Sequence, residues 1–162
     1  MGSAEGTAKG GYVLADASSG TPQVVLMGTG SEVQIAVAAR EVLEADGIPT
    51  RVVSIPCWEW FSEQDEAYRT EVLPPSVRAR VSVEAGVPMG WRDFVGDAGR
   101  MVGLNHYGAS ASYSKLYEEF GLTAEAVVTA ARESIAAAGA APIAPTGPGV
   151  SVGGLDSPTG DR

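Results

Sequence analysis

The sequence predicts an α/β protein: a three-layer α/β/α sandwich on a five-stranded, mixed and mostly parallel sheet with one antiparallel edge strand. Three observations predict it. The apolar, β-prone run Gln23–Met27 ends in Gly28-Thr29-Gly30-Ser31-Glu32, passes into an amphipathic helix and emerges in a second buried-type strand, which is a β-α-β unit. Later strands are separated by helical stretches, which favours parallel pairing. The first strand instead reaches the second through a short turn, so it can pair antiparallel with that neighbour.

The elements follow in order. Residues 1–11 are small and polar and read as a linker remnant leading to a strand at Tyr12–Ala15. Asp16–Pro22 is rich in turn residues. After the strand Gln23–Met27, two glycines allow a sharp exit, and Ser31 is placed to accept from the first free helix amides. Val33, Val37 and Val42 mark the apolar side of the helix, Glu32 complements its dipole, and Asp46-Gly47 ends it. A strand at Thr50–Ile55 stops at Pro56, and Cys57–Phe61 forms an aromatic connection. Ser62-Glu63-Gln64-Asp65 has capping-box-like spacing and opens a helix to about Val72, which Pro74-Pro75 closes. Strands at Arg80–Glu84 and Arg100–Leu104 flank a short helix at Trp91–Val95. Helices at Ser112–Phe120 and from Thr123 to about Ala138 complete a domain over residues 12–138. Residues 139–162 are rich in Gly, Pro and Ala without apolar period and predict a disordered tail.

Composition sets limits. At 162 residues, with 44% hydrophobic and 19% charged residues, the chain can bury a substantial core. A formal charge of −9 opposes binding to phosphate backbones and anionic bilayers, so neither nucleic acid nor membrane is expected as a partner. Cys57 is the single cysteine, which excludes an internal disulfide and suits a reducing compartment. The start Met1–Gly6 has neither a basic nor an apolar signal region, so a cytoplasmic location is expected.

Several stretches imitate known chemistry. Gly28-x-Gly30 has two thirds of a dinucleotide fingerprint, but the third glycine is absent and Ser54-Ile55-Pro56 replaces the ribose-binding acid. A tight strand-to-helix turn explains it better, although amides near Ser31 could hold a small anion. Gly96-Asp97-Ala98 lacks both a final glycine and a suitably distant asparagine for a metal loop, and reads as a turn. His106, the only histidine, and Glu84, at a strand end, stand where open α/β sheets bind ligands. Their structural readings are a hydrogen-bonded loop histidine and a carboxylate paired with Arg51, Arg80 or a helix amide. Cys57 and His106 form a nucleophile–base pair only if the fold brings them together. Trp58, Trp60, Phe61 and Trp91 lie in connections, where aromatic residues plug core edges or meet neighbouring domains.

Gly28-Thr29-Gly30-Ser31-Glu32-Val33, Val83-Glu84-Ala85-Gly86 and Tyr107-Gly108-Ala109-Ser110-Ala111 together resemble the C-terminal domain of transketolases. Gly10-Gly11-Tyr12-Val13-Leu14 and Gln64-Asp65-x-Ala67-Tyr68-Arg69 fit the same pattern, in order, from about Gly6 to about Ala137. The resemblance implies a five-stranded mixed sheet covered on both faces. It also implies a parent enzyme that uses thiamine diphosphate and Mg2+ to transfer a two-carbon ketol unit between sugar phosphates. In that family the cofactor contacts come from the N-terminal and middle domains, so no catalytic, cofactor-binding or metal residue is assigned in this chain. The expected partners are those two domains, with a possible homodimer, and the expected role is structural. Gly28, Thr29, Gly30, Ser31, Glu84 and His106 are the candidates for an auxiliary pocket. The alternatives are a free-standing module for a small anionic metabolite at Ser31 and, last, a Cys57-dependent hydrolase.

Overall fold

A computed structural model of the chain describes residues 3–139, so the tail expected at 139–162 lies, apart from Gly139, outside the described residues. Five strands form one sheet: β1 (Tyr12–Ala15), β2 (Val24–Gly28), β3 (Thr50–Ser54), β4 (Arg80–Val83) and β5 (Arg100–Val102), in the spatial order β1-β3-β2-β4-β5. The last four are parallel, and β1 is the antiparallel edge. The partner of β1 is β3, with Tyr12 opposite Ser54, rather than the next strand in sequence. Both edges of β2 are already occupied by parallel neighbours, so the short Asp16–Pro22 connection cannot close a hairpin.

Helices cover both faces. α1 (Val33–Ala45) and α6 (Ala124–Gly139) pack with Val24, Leu26, Val52, Val81 and Val83 on one side. The opposite side carries Val25, Met27, Val53 and Ile55 against α2 (Trp58–Ser62), α3 (Glu66–Val72) and α4 (Arg92–Val95). Both faces of β2 and β3 are covered, which is why β2 reads as a continuous apolar run, whereas β3 is equally buried but carries Thr50, Arg51 and Ser54. α5 (Tyr113–Glu119) lies between β5 and α6 in the chain.

Four local expectations are corrected. Residues 4–9, read as part of a linker remnant, form a 3-10 helix capped by Ser3, whose Oγ accepts from the Glu5 amide. Gly10 then turns at φ 78 and accepts from the Cys57 amide through its carbonyl (3.0 Å), docking the segment on the domain. The buried side of α1 is Ile35, Ala36, Ala39 and Leu43, whereas Val42 is exposed. Alanine suffices there because the helix lies close against the sheet. The aromatic connection is itself helical at Trp58–Ser62. The cap of α3 is Asp65, which accepts from the Tyr68 amide at 2.8 Å, in place of Ser62. An ionised carboxylate is the stronger acceptor for free helix amides.

Candidate functional site

Four parallel strands end on one edge of the sheet, at Gly28, Ser54, Val83 and Val102. From β2 the chain crosses to β3 over one face, and from β3 it crosses to β4 over the other. The topological switch therefore lies between the carboxyl ends of β2 and β4, the usual ligand crevice of open α/β sheets. Gly28 pairs with Val83 there, which sets Thr29–Ser31 beside Glu84.

The turn at this crevice is fixed by its glycines. A Cβ on Gly28 would stand 3.2 Å from the Val33 Cα, and Gly30 takes φ 53, in the left-handed region. Gly30–Glu32 consequently forms a single 3-10 turn ahead of α1. Ser31 does not cap α1; its Oγ donates to Glu32 Oε1 at 2.6 Å. The Tyr117 hydroxyl, from α5, donates to the same oxygen and lies 3.5 Å from Ser31 Oγ. The bonded Glu32 carboxylate pushes the Tyr117 phenol above its ordinary range, an effect the Ser31 hydroxyl opposes. Glu32 is only 6% exposed, so an anion brought to Ser31 would meet a carboxylate held in place.

Glu84 is half-buried and pairs with none of the groups expected for it. Its Oε2 accepts from the Trp91 indole N–H at 2.7 Å. Arg51 is instead bidentate to Asp16 (2.8 and 2.9 Å) and also donates to the Glu71 and Val72 carbonyls. Arg80 donates to the carbonyls of Leu73, Pro74, Val77 and Phe94, and burial lowers its pKa. Tyr117 and Trp91 are thus the residues of this edge that sequence reasoning missed. The signal for Trp91 was present, because a buried indole N–H requires an acceptor and Glu84 stands seven positions earlier.

His106 shares the edge but not the crevice. It is exposed, donates Nδ1–H to the Tyr107 carbonyl (2.8 Å) and packs edge-on against Phe120 at 4.6 Å. Cys57 follows β3 and donates its thiol to Glu59 at 3.4 Å. With β2 and β4 intervening, the strands leading to Cys57 and His106 are three strand spacings apart, about 14 Å. They do not form a nucleophile–base pair.

Away from the crevice, an open groove of about 760 Å³ runs along the second helical face, lined by Trp58, Phe61, Arg69, Leu73, Arg80 and Phe94 among others. None of the expected site residues lines it. Among the described residues no group of three or more His, Cys, Asp or Glu side chains is arranged to hold a metal ion. Asp97 is ion-paired with Arg78 at 2.6 Å, and Gly96 turns the chain into β5 at φ 72. These donors do not fit a thiamine diphosphate–Mg2+ pair.

Comparison with known proteins agrees with the geometry. The family described as "Transketolase-like TK C-terminal domain" matches residues 10–123. The chloroplastic transketolase of Solanum tuberosum is 56% identical over 132 residues, covering 81% of this chain and 18% of its own length. A transketolase of Mycobacterium leprae is 55% identical over 132 residues, covering 80% and 19% respectively. The solved transketolase of Leishmania mexicana superposes with a TM-score of 0.76 at 41% identity, over 83% of this chain and 19% of that one. The chain therefore spans about a fifth of the length of these relatives. On its sheet order, its edge and these matches, the chain belongs to the transketolase C-terminal domain family.

Proposed function

We propose that this chain serves as the C-terminal structural domain of a transketolase-like enzyme, supporting catalysis carried out elsewhere. The observation behind the reading is a contrast. The match takes in about four fifths of this chain, yet the polar groups at the carboxyl edge of its sheet are bonded to one another. Glu32 is bound by Ser31 and Tyr117, and Glu84 by Trp91, so the edge is built as a folded joint. The parent reaction in this reading is two-carbon ketol transfer between sugar phosphates, with thiamine diphosphate and Mg2+ held by N-terminal and middle domains. Those domains are the partners, a homodimer is the assembly, and the single cysteine is consistent with a cytoplasmic location.

The test is turnover of xylulose 5-phosphate and ribose 5-phosphate by the isolated chain, with thiamine diphosphate and Mg2+ added. No activity above background is expected, and clear activity would overturn the reading. The competing anion-binding module meets the Glu32 carboxylate at its proposed site. Calorimetry with sugar phosphates decides between them, because specific micromolar binding would favour the module.

A further inference from the structure

Three surface depressions run into one another. The first, of about 410 Å³, is bordered by Gly139, the last described residue, and by Val77 and Arg78. Those two also line a second depression of about 170 Å³, and its Pro75 and Arg80 in turn line the open groove of about 760 Å³. Arg78 donates from Nη1 to the Ala138 carbonyl at 2.9 Å, which fixes the start of this track at the end of α6. A continuous path therefore leads from Gly139 to the groove.

The groove is a rigid aromatic platform with donors to spare. Trp58 meets Trp91 edge-on at 5.1 Å and Phe94 at 5.7 Å, and its ring lies where a Cβ on Gly90 would stand, 2.0 Å away. Its indole N–H has no acceptor among the described residues. Arg80 donates to the carbonyls of Leu73, Pro74, Val77 and Phe94, and the fifth guanidinium N–H, on Nη1, is left over. Glu59, Glu66 and Asp93 share the rim with Arg69, so the charge there is mixed. Such a site suits an uncharged ligand that is apolar along one side and rich in unpaired carbonyls.

The chain carries a segment of that chemistry just past Gly139. Residues 140–150 hold no charged side chain, and Pro142, Pro145 and Pro148 recur every third position. Three residues make one turn of a polyproline II helix, so the three prolines share one side, and the backbone carbonyls of that helix have no internal partners. We propose that the groove is a polyproline II binding site and that its occupant is the chain's own segment Pro142–Pro148. Aromatic-lined grooves take proline-rich segments in this way, the rings packing on the prolines while indole and guanidinium N–H groups bond the carbonyls. Residues 140–148 extend about 28 Å in this form, enough to follow the track. The tether at Gly139 raises the local concentration of the segment, and proline limits the entropy lost on docking.

The experiment compares the 162-residue chain with its Pro142→Gly, Pro145→Gly, Pro148→Gly triple variant by 1H–15N correlation spectra. These positions lie outside the packed domain, so the variant should keep the resonances of Val24–Gly28 in place. The Trp58 indole N–H and the amides of Arg69, Gly90 and Phe94 should move. A synthetic peptide of residues 140–149 added to the triple variant should return them toward their original positions. A peptide of the same composition with its prolines not three apart should leave them unmoved. Adding Trp58→Phe to the variant keeps a ring but removes the N–H, and should weaken the peptide about fivefold. Identical spectra for the chain and its triple variant would overturn the proposal, as would equal binding of the two peptides. Groove shifts that fade on tenfold dilution of the unsubstituted chain would assign the segment to a second copy and overturn docking within one chain.

Discussion

Trp91 donates its indole N–H to Glu84 Oε2 over 2.7 Å, joining the 3-10 turn Pro88–Trp91 to the residue that follows β4. The ring is 1% exposed and meets Trp58 edge-on at 5.1 Å and Phe94 at 6.0 Å. One side chain therefore anchors the aromatic layer of the second face and also satisfies the carboxylate at the carboxyl edge of the sheet. Trp91→Phe keeps most of the apolar area but removes the donor. A hydrogen bond to a charged group contributes about 1.5–3 kcal/mol, and a loss in that range is expected. Glu84→Gln retains an acceptor and should cost less than about 1 kcal/mol. Urea unfolding monitored by fluorescence measures both, and equal losses for the two variants would show that packing alone matters here.

Gly10 occupies a position that no other residue can take without moving the backbone. Its φ is 78, and a Cβ there would stand 2.4 Å from both the Cys57 carbonyl oxygen and the Phe61 nitrogen. The obstacles are the cap of α2 and the backbone of its fourth residue, so relief requires the N-terminal segment to lift away. Gly10→Ala is expected to cost more than about 2 kcal/mol, adding a steric clash to a strained φ. Gly20 is a matched control, with φ 80 and open space around it. Gly20→Ala should cost about 1 kcal/mol, the left-handed penalty alone. Chemical denaturation separates the two, and similar losses would mean that the N-terminal helix is not held against α2.

Asp16 and Arg51 give the fold an acid-sensitive joint. Burial works to raise the Asp16 pKa, but the Arg51 guanidinium and the Ala17 amide outweigh it and hold the carboxyl below its ordinary 3.8. A depressed folded value means that the ionised form stabilises the native state. That contribution is present above 3.8 and disappears as pH falls through the lower folded value. Asp16 is half exposed, so the contribution is discounted to about 1 kcal/mol. Asp16→Asn should lower Tm at pH 7, and the gap from the unsubstituted chain should close as the pH approaches 2. Glu44, held low by the Ser18 hydroxyl and the Thr50 amide, leaves a residual acid slope in the variant. A gap that persists undiminished at low pH would mean that Asp16 acts through its shape and not its charge.

The legible parts of the fold were those set by local chemistry. Gly28 and Gly30 announced the turn, Pro56 and Pro74 the stops, and the uninterrupted apolar run at Val24–Met27 and the β-branched stretch Val52–Ile55, broken only by Ser54, announced central strands. Pairing was less legible. Nothing in Tyr12–Ala15 says that β2 is saturated by β3 and β4, so the partner of β1 had to come from the assembled sheet. The site shows the same division. Glu84 was noticed as a carboxylate at a strand end, and its partner was expected among cations because charge is readable in sequence. The indole that binds it depends on how Pro88–Trp91 folds back. Ser31 looked like a cap because its spacing was right, but Glu32 and Tyr117 compete for its hydroxyl, and Tyr117 is 86 residues away.

Ser82 offers the clearest route to a more stable protein. It lies on β4 in register with Met27 and Met101, is 1% exposed, and its Oγ has no partner among the described residues. A buried hydroxyl without a hydrogen bond costs about 1–3 kcal/mol relative to its solvated state. Ser82→Ala removes the hydroxyl and leaves a gap smaller than a methyl group, which costs less than about 1 kcal/mol. The difference favours the variant, and a gain of about 0.5–1 kcal/mol is expected. Ser82→Val tests the balance from the other side, because one methyl takes the place of the hydroxyl and a second must enter a packed layer beside two methionines. Methionine adapts to irregular space, so the cost should stay within about 1–3 kcal/mol. Thermal unfolding of the three proteins measures both steps. A loss of stability in Ser82→Ala would reveal a buried water bound to the hydroxyl, and the unsatisfied group would then be a satisfied one.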